Sequence, residues 1–139
     1  MSIDILVVDD SMTIRAMIRK ALQLSISNLG KVVEADNGIT ALARLAENEV
    51  DAVLTDINMP RMDGVQLIGR MKSVEKLAKI PIIVISTDDS QERLKYLEGQ
   101  GISGYLHKPF RPEQLREVLS KILEVTYDEQ AVGSDGSDF

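Results

Sequence analysis

The amino-acid sequence predicts an α/β fold with a doubly wound parallel sheet of five strands. Short apolar runs typical of strands alternate along the chain with segments whose apolar residues recur at helical spacing. Such alternation indicates repeated strand–helix units, which form parallel sheets covered by helices on both faces. A length of 139 residues suits one domain that is large enough to bury its own core.

Five runs are interpreted as strands, and their composition predicts where each lies in the sheet. Three are nearly continuous apolar and β-branched runs, as strands buried on both faces require: Ile3–Val8, Ala52–Thr55 and Ile82–Ile85. Lys31–Ala35 and Gly104–His107 mix polar with apolar residues, which favours the two edges of the sheet.

Helices are predicted between these strands. Two segments carry an apolar stripe at the spacing of one helical face: Ile14, Met17, Ile18, Ala21 and Leu22, and later Leu115, Val118, Leu119, Ile122 and Leu123. Two further helices are expected near 38–47 and 64–73, with Asn37 and Asp63 as capping residues. Most methionines are expected to fill gaps in the core or loops: Met12, Met17, Met59, Met62 and Met71.

Another helix is predicted near Ser90–Gln100, and its anchoring to the sheet is expected to be the weakest. Its large apolar residues are only Leu94, Tyr96 and Leu97. Because few apolar contacts mean low local stability, we expect this helix to be the most mobile one.

Composition narrows the class of protein. The chain has no cysteine, which excludes disulfides and thiolate metal sites. A formal net charge of −6 argues against binding nucleic acid and favours cations or basic and apolar partners. The apolar run near the N-terminus is too short for a signal peptide or membrane span, so a cytoplasmic location without a membrane partner is expected. A domain over 1–125 and an acidic, Gly- and Ser-rich flexible tail over 126–139 are predicted.

Polar and charged side chains are predicted to meet at one rim of the sheet. In a doubly wound sheet, the functional crevice lies at the carboxyl ends of the strands. The residues that follow the strands are Asp9 and Asp10, then Asp56 and Asn58, then Ser86 and Thr87, and finally Lys108. Three carboxylates, a hydroxyl and an ammonium group are therefore expected to converge.

This group of side chains predicts chemistry on phosphate. Clustered carboxylates repel one another, and a divalent cation relieves that repulsion. Mg²⁺ suits a sparse pocket of oxygen ligands and leaves positions for phosphate oxygens. Asp56 beside it can attack a phosphoryl group and become an aspartyl phosphate. Lys108 would add positive charge, and the Ser86 hydroxyl would donate to a phosphoryl oxygen.

Four motifs follow one another along the chain: VVDDS with Asp9 and Asp10, TDINMPRMDG with Asp56, IIVIS with Ser86, and GYLHKPF with Tyr105 and Lys108. With these motifs in this order, the chain resembles response-regulator receiver domains, and most closely single-domain chemotaxis regulators of the CheY type. The resemblance extends over about residues 3–125. The resemblance implies a flavodoxin-like (βα)5 fold with strand order 2-1-3-4-5. We expect the protein to be a monomer.

The resemblance also implies a ligand set and a phosphodonor. Mg²⁺ would be held by Asp10, Asp56 and the backbone carbonyl of Asn58, with Asp9 assisting through water. A histidine kinase, of the chemotaxis type, or a small phosphodonor would supply the phosphoryl group. The domain would be a phosphoacceptor that promotes its own phosphorylation and dephosphorylation, not an enzyme with a separate substrate.

A switch of the partner surface is a further implication of the resemblance. Ser86 would move toward the phosphoryl group, and Tyr105 would turn inward. The surface made by the fourth predicted helix, the fifth strand and the fifth helix would be remodelled, with a patch around Tyr96, Gln100, Tyr105 and Phe110. It would bind a flagellar motor switch protein or another target protein, and a phosphatase is a further expected partner. The Lys108–Pro109 bond is a family site for a cis peptide.

Two other classes of protein fit these residues less well. A flavodoxin-like cofactor carrier would want an anion-accepting loop after the first strand, where Asp9 and Asp10 stand instead. A phosphatase with an aspartyl nucleophile would need a second carboxylate two residues after it as acid and base, and Asn58 occupies that position instead. A phosphorelay intermediate or a regulator of a pathway other than chemotaxis stays open. Thr87 is β-branched where many chemotaxis regulators carry a smaller residue, so its effect on access to Asp56 is also open.

Single residues have plainer explanations when each is taken alone. Residues 9–11 could be no more than the cap of the first helix, and Asp56 could be no more than a turn former. Lys108 could be a solvated charge, and Tyr105 a half-buried edge residue. His107 is expected on the strand surface rather than as a ligand.

Overall fold

Strands alternate with helices, with two consecutive helices between the third and fourth strands, in residues 2–126, which are the residues that the computed structural model describes. The predicted tail therefore lies outside the described residues from 127 onward. In chain order the elements are β1 (Ile3–Val8), α1 (Met12–Ser25), β2 (Leu29–Ala35), α2 (Gly38–Glu47), β3 (Ala52–Thr55), α3 (Gly64–Ser73), α4 (Glu75–Ala78), β4 (Ile82–Ser86), α5 (Gln91–Gly99), β5 (Gly104–His107) and α6 (Pro112–Ser120).

The strands form one parallel sheet in the order β2-β1-β3-β4-β5. This confirms the predicted fold class and strand order, and it places the two mixed strands at the edges. The chain order reverses beside β1, because β2 lies on one side of it and β3 on the other. A crevice at the carboxyl ends of β1 and β3 follows from that reversal.

Two hydrophobic clusters cover the two faces of the sheet. Alternate residues of β1 point to opposite faces, so Ile5 and Val7 belong to one cluster and Leu6 and Val8 to the other. The first cluster contains α1 and α6 residues, among them Ile18, Leu22, Leu115 and Leu119. The second contains residues of α2, α3 and α5, among them Leu45, Leu67, Ile68, Met71 and Leu97.

Helix α1 differs from the predicted stripe at one position. Ile18, Ala21 and Leu22 are buried as expected, whereas Met17 is 57% exposed. Met12, predicted to fill a gap, is 74% exposed. Both predictions are wrong, because the buried face of α1 is narrower than the apolar stripe in its sequence. The buried face continues to Ser25, whose Oγ donates to the Ala21 carbonyl at 2.5 Å. Three further methionines of that prediction do pack on the core: Met59, Met62 and Met71.

Several element boundaries differ from the predicted ones. Helix α6 ends at Ser120, so Ile122 and Leu123 lie beyond it, although both still pack against the first cluster. The short helix α4 was not predicted from the sequence. Asn37 and Asp63 cap α2 and α3 as expected, each accepting hydrogen bonds from N–H groups of the first turn.

Helix α5 is sparsely anchored, as its composition predicted. Leu97 is its only buried residue, Leu94 is half-buried, and Tyr96 is 53% exposed. Its mobility stays a prediction. Within the described residues, no helix is both long and apolar enough to span a membrane.

Candidate functional site

The carboxyl ends of β1 and β3 bring the acidic residues together. Val8 of β1 pairs with Thr55 of β3, so Asp9 and Asp56 leave neighbouring strands at the same level. Carboxylate oxygens of these two residues and of Asp10 all lie within 4.8 Å of one another. Asp9 is buried, Asp56 is half-buried and Asp10 is exposed. The predicted cluster of three carboxylates therefore exists.

Lys108 places a positive charge between two of these carboxylates. The residue follows β5, where its backbone N–H donates to the Ser86 carbonyl at 2.9 Å. Its Nζ lies 3.0 Å from Oδ2 of Asp9 and 3.3 Å from Oδ2 of Asp56. The Lys108–Pro109 peptide is cis, as the resemblance implied. One ammonium group thus bridges the ends of β1 and β3.

Backbone N–H groups orient the second oxygen of each bridged carboxylate. Oδ1 of Asp9 accepts from the Ser11 N–H at 2.8 Å, and Oδ1 of Asp56 accepts from the Ile57 N–H at 2.7 Å. Asp56 therefore presents Oδ2 to the ammonium group in a defined direction. The hydroxyl of Ser11 accepts from the Ile14 N–H at 3.2 Å, so Ser11 is the cap of α1 and the aspartates are not.

The pKa values of Asp56 and Lys108 are both raised, for different physical reasons. Burial raises the pKa of the Asp56 carboxyl above its ordinary value, and the Asp9 charge adds to the increase. The Ile57 N–H and Lys108 oppose this increase without cancelling it. Burial alone would lower the pKa of Lys108, but hydrogen bonds and charges of Asp9 and Asp56 raise it overall. Asp56 is thus more basic than an ordinary aspartate, beside a stable cation.

The donor set fits a hard divalent cation. Asp9, Asp10 and Asp56 offer only oxygen ligands, and one ammonium group does not balance three carboxylates. Mg²⁺ binds oxygen ligands, commonly one or two carboxylates together with waters. Asn58 lies exposed in the loop after Asp56. The role of its backbone carbonyl as a ligand stays a prediction.

Gly64 supports the loop that carries Asp56, and sequence reasoning missed this role. A Cβ at Gly64 would lie 2.2 Å from the backbone oxygen of Asp56 and 2.8 Å from Cα of Ile57. The Gly64 N–H donates to the Ile57 carbonyl at 2.7 Å. The start of α3 therefore rests on the Asp56–Ile57 peptide, where only glycine fits. The MDG stretch at 62–64 was the available signal.

Ser86 and Tyr105 meet through the loop that follows β4. Ser86 is fully buried, and its Oγ accepts from the Asp88 N–H at 3.1 Å. The Tyr105 hydroxyl donates to the Asp88 carbonyl. Burial raises the pKa of Tyr105, while a hydrogen bond with the Ser86 side chain acts in the opposite direction. The Tyr105 ring is thus half-buried beside the rim, and its further inward rotation stays a prediction.

The predicted partner patch is only partly contiguous. Tyr105 packs against the second cluster, and Tyr96 and Gln100 lie on α5 and at its end. Phe110 instead packs against the first cluster, on the opposite face of the sheet. There it lines a cavity of about 440 Å³ with α1 side chains that include Met17. The structure therefore separates Phe110 from the other three residues.

Thr87 and His107 lie exposed at the ends of β4 and β5. Nε2 of His107 lies 3.1 Å from the Thr87 carbonyl, so His107 is a surface residue of the strand, as predicted. Thr87 lines the same cavity as Phe110, next to Lys108.

Comparison with known proteins identifies the family. A sequence model of the response regulator receiver domain matches residues 5–120. The chain belongs to the response-regulator receiver domain family. This receiver domain is 37% identical over 121 residues to chemotaxis protein CheY-3 of Vibrio cholerae, covering 86% of this chain and 91% of that protein. It is 35% identical to chemotaxis protein CheY of Pseudomonas aeruginosa, covering 86% of this chain and 95% of the relative.

Solved structures agree with this assignment. Chemotaxis response regulator CheY4 of Vibrio cholerae matches the receiver domain with a TM-score of 0.79 at 32% identity, covering 88% of this chain and 100% of the other. The receiver domain of sensor histidine kinase PA1611 from Pseudomonas aeruginosa matches with a TM-score of 0.77 at 25% identity, covering 88% and 98%. That crystal structure contains a magnesium ion coordinated in the active site cleft. The comparisons confirm the predicted family and fold and support chemotaxis-type two-component signalling.

Proposed function

We propose that this receiver domain accepts a phosphoryl group on Asp56 from a histidine kinase or a small phosphodonor and thereby controls binding to a chemotaxis target. The observation that carries the proposal is the position of Asp56 Oδ2, 3.3 Å from Lys108 Nζ and beside two further carboxylates. The domain acts as a phosphoacceptor that promotes its own phosphorylation and dephosphorylation rather than as an enzyme with a separate substrate.

The phosphoryl transfer is a displacement at phosphorus. Oδ2 of Asp56 forms the new P–O bond, the donor's P–N or P–O bond breaks, and the leaving group departs with the electron pair. The Ile57 N–H holds Oδ1 and so keeps Oδ2 directed into the pocket. Asp10, Asp56 and the Asn58 carbonyl would hold Mg²⁺, which when bound offsets the charge of the phosphoryl oxygens.

Lys108 and Ser86 complete the proposed site. The Lys108 ammonium group already contacts Asp56, so it can shift to a phosphoryl oxygen without a large movement of the chain. The Ser86 hydroxyl can donate to a second phosphoryl oxygen once its side chain moves toward Asp56. That movement would take Oγ away from the Asp88 N–H, which it accepts from at 3.1 Å.

The output of phosphorylation follows from this contact. The backbone of Asp88 links Ser86 to Tyr105, and only Asp89 and Ser90 separate it from α5. Because Leu97 is the only buried residue of α5, a small free-energy change can shift the population of its arrangements. We infer that the surface of α5 and β5 then binds a short helical segment of a target, with a flagellar motor switch protein as the first candidate.

Incubation with acetyl phosphate and Mg²⁺ tests the acceptor. We expect one acid-stable, base-labile phosphoryl group by mass spectrometry, which is lost in Asp56→Asn. Asp51→Asn is the matched control and should be phosphorylated like the wild type, because Asp51 lies at the opposite end of the sheet. A phosphoryl group that persists in Asp56→Asn, or that maps to Ser86, would show that Asp56 is not the acceptor.

Amide chemical shifts with and without beryllofluoride test the output. We expect changes that reach from the acidic cluster to residues 91–99 and that shrink in Tyr105→Phe, which lacks the donor to the Asp88 carbonyl. Changes confined to the acidic cluster would favour a phosphorelay intermediate that passes the phosphoryl group on without a switched surface.

A further inference from the structure

Arg15 joins the acidic cluster to the neighbouring edge of the sheet. Its Nη1 donates to the backbone carbonyl of Asp9 at 2.7 Å, and its Nε donates to Oε1 of Glu34 at 2.9 Å. The Arg15 side chain is only 15% exposed. One guanidinium group from α1 therefore spans the end of β1 and the edge strand β2.

Glu34 is in turn held by a second guanidinium group. Arg19 donates from Nη2 to Oε2 of Glu34 at 2.6 Å and to the Val32 carbonyl at 3.0 Å. Hydrogen bonding from Arg19 lowers the pKa of Glu34; burial opposes this, and Arg15 contributes to the decrease. Glu34 is thus ionised at neutral pH and fixes Arg15 from the side away from the acidic cluster.

The Asp9 carbonyl is significant because it belongs to the peptide that leads into Asp10. The Asp9 side chain has its own partners in Ser11 and Lys108, whereas Asp10 is exposed. The orientation of the Asp9–Asp10 peptide sets the direction in which the Asp10 side chain leaves the backbone. A donor on that carbonyl therefore constrains the exposed member of the three carboxylates.

We propose that Arg15, held by Glu34, is a positioning residue that orients Asp10 for binding a divalent cation. This inference rests on the proposed function, since it assumes that the cluster of Asp9, Asp10 and Asp56 binds Mg²⁺. Arg15 is itself positively charged and lies next to the proposed Mg²⁺ site, so its charge alone would repel the metal ion.

Electrostatics and positioning predict changes of opposite sign. If Arg15 acted only through its charge, its removal would strengthen Mg²⁺ binding, because a nearby positive charge would be lost. If Arg15 positions Asp10, its removal weakens binding despite that gain. Groups that orient metal ligands typically change affinity by about tenfold or more.

Arg15→Gln and Arg19→Gln form a matched pair of variants. Each removes one positive charge and the hydrogen bonding of one guanidinium group to Glu34, but of the two only Arg15 donates to the Asp9 carbonyl. Mg²⁺ is titrated into the full chain and followed by amide shifts. We expect Arg15→Gln to bind about tenfold more weakly than wild type, and Arg19→Gln to bind at least as tightly as wild type. Thermal unfolding without metal should show a similar loss of stability in both variants.

The outcomes separate this inference from the proposed function. If the wild type itself binds no Mg²⁺, the proposed function fails. If the wild type binds and Arg15→Gln binds equally or more tightly, or if both variants weaken alike, the positioning role is wrong. Arg15→Lys keeps the charge but lacks the planar fork that spans two acceptors. It should therefore also weaken binding, and it decides the question if Arg15→Gln does not fold.

Discussion

Aspartates at the two ends of the sheet have opposite surroundings. At the amino ends, Oδ1 of Asp4 accepts from the Lys31 N–H at 2.7 Å, and Oδ2 of Asp51 accepts from the Asp4 N–H at 2.7 Å. At the carboxyl ends, Asp9 and Asp56 share the ammonium group of Lys108, beside the exposed Asp10.

The contrast shows how surroundings decide the role of one residue type. At the amino ends, each carboxylate satisfies a backbone donor where strands begin, which stabilises the fold. At the carboxyl ends, three carboxylates compete for one cation, and burial raises the pKa of Asp56. Repulsion within such a cluster costs free energy, which a bound cation would relieve.

The largest effect is expected from Lys108→Ala. Without the ammonium group, Asp9 stays buried opposite Asp56 with no counter-charge, and the free energy of unfolding at neutral pH should fall by about 3 kcal/mol. The deficit should shrink in acid, where the carboxyls are protonated. On the alkaline side, the wild-type contribution of Lys108 is present up to its ordinary pKa of 10.5 and is lost as the pH rises through the higher folded-state value.

Chemical denaturation across pH measures this effect, with Lys121→Ala as the control. Lys121 is largely exposed and its Nζ lies 3.8 Å from Glu117, so its loss should change stability by less than about 0.5 kcal/mol. Equal losses in the two variants would contradict the role of the buried ammonium group.

Two glycines sharpen the comparison with a smaller effect. A Cβ at Gly64 would meet the backbone oxygen of Asp56 at 2.2 Å, and a Cβ at Gly30 would meet Oδ1 of Asp4 at 2.2 Å. A side-chain oxygen can move away more easily than a backbone oxygen. The free energy of unfolding should therefore fall by about 2 kcal/mol in Gly64→Ala and by about 1 kcal/mol in Gly30→Ala.

Denaturant midpoints give the stability of both glycine variants, and phosphorylation by acetyl phosphate gives a second measurement. Only Gly64→Ala should slow phosphorylation, because it displaces the peptide that carries Asp56. A slower reaction in Gly30→Ala would indicate that the two ends of the sheet are coupled.

The smallest effect, and one of opposite sign, is expected from Asp56→Asn. Because the pKa of Asp56 is raised in the folded state, its ionisation costs stability as the pH rises above the ordinary value of 3.8. Without metal at neutral pH, Asp56→Asn should be more stable than wild type by about 1 kcal/mol. This difference in stability should disappear as the pH falls toward 3.8, the ordinary pKa of an aspartate.

Asp51→Asn is the counterpart at the amino end. The amide oxygen of this variant can still accept from the Asp4 N–H. The free energy of unfolding of Asp51→Asn should therefore stay within about 0.5 kcal/mol of the wild-type value. Denaturation curves at several pH values compare the two variants. A destabilised Asp56→Asn would mean that its contact with Lys108 outweighs burial and repulsion.

Much of the site could be predicted because its signals are local. Each acidic or hydroxyl residue directly follows an apolar run, as Asp9 follows Ile3–Val8, and the carboxyl ends of parallel strands lie at one rim. Helix α5 could likewise be recognised as weakly anchored from its few apolar residues. Met17 was misplaced because apolar spacing predicts a stripe but not how wide a stripe the neighbouring elements cover.

The sequence by itself determined the strand–helix alternation, the buried and edge strands, and the residues that end each strand, because periodicity and composition act over a few neighbouring positions. Only the tertiary structure decided that Lys108 contacts Asp9, 99 residues away, that Phe110 lies on the opposite face from Tyr105, and that Arg15 reaches the Asp9 carbonyl. Those contacts depend on strand register and helix placement, which bring together segments that are distant in the chain.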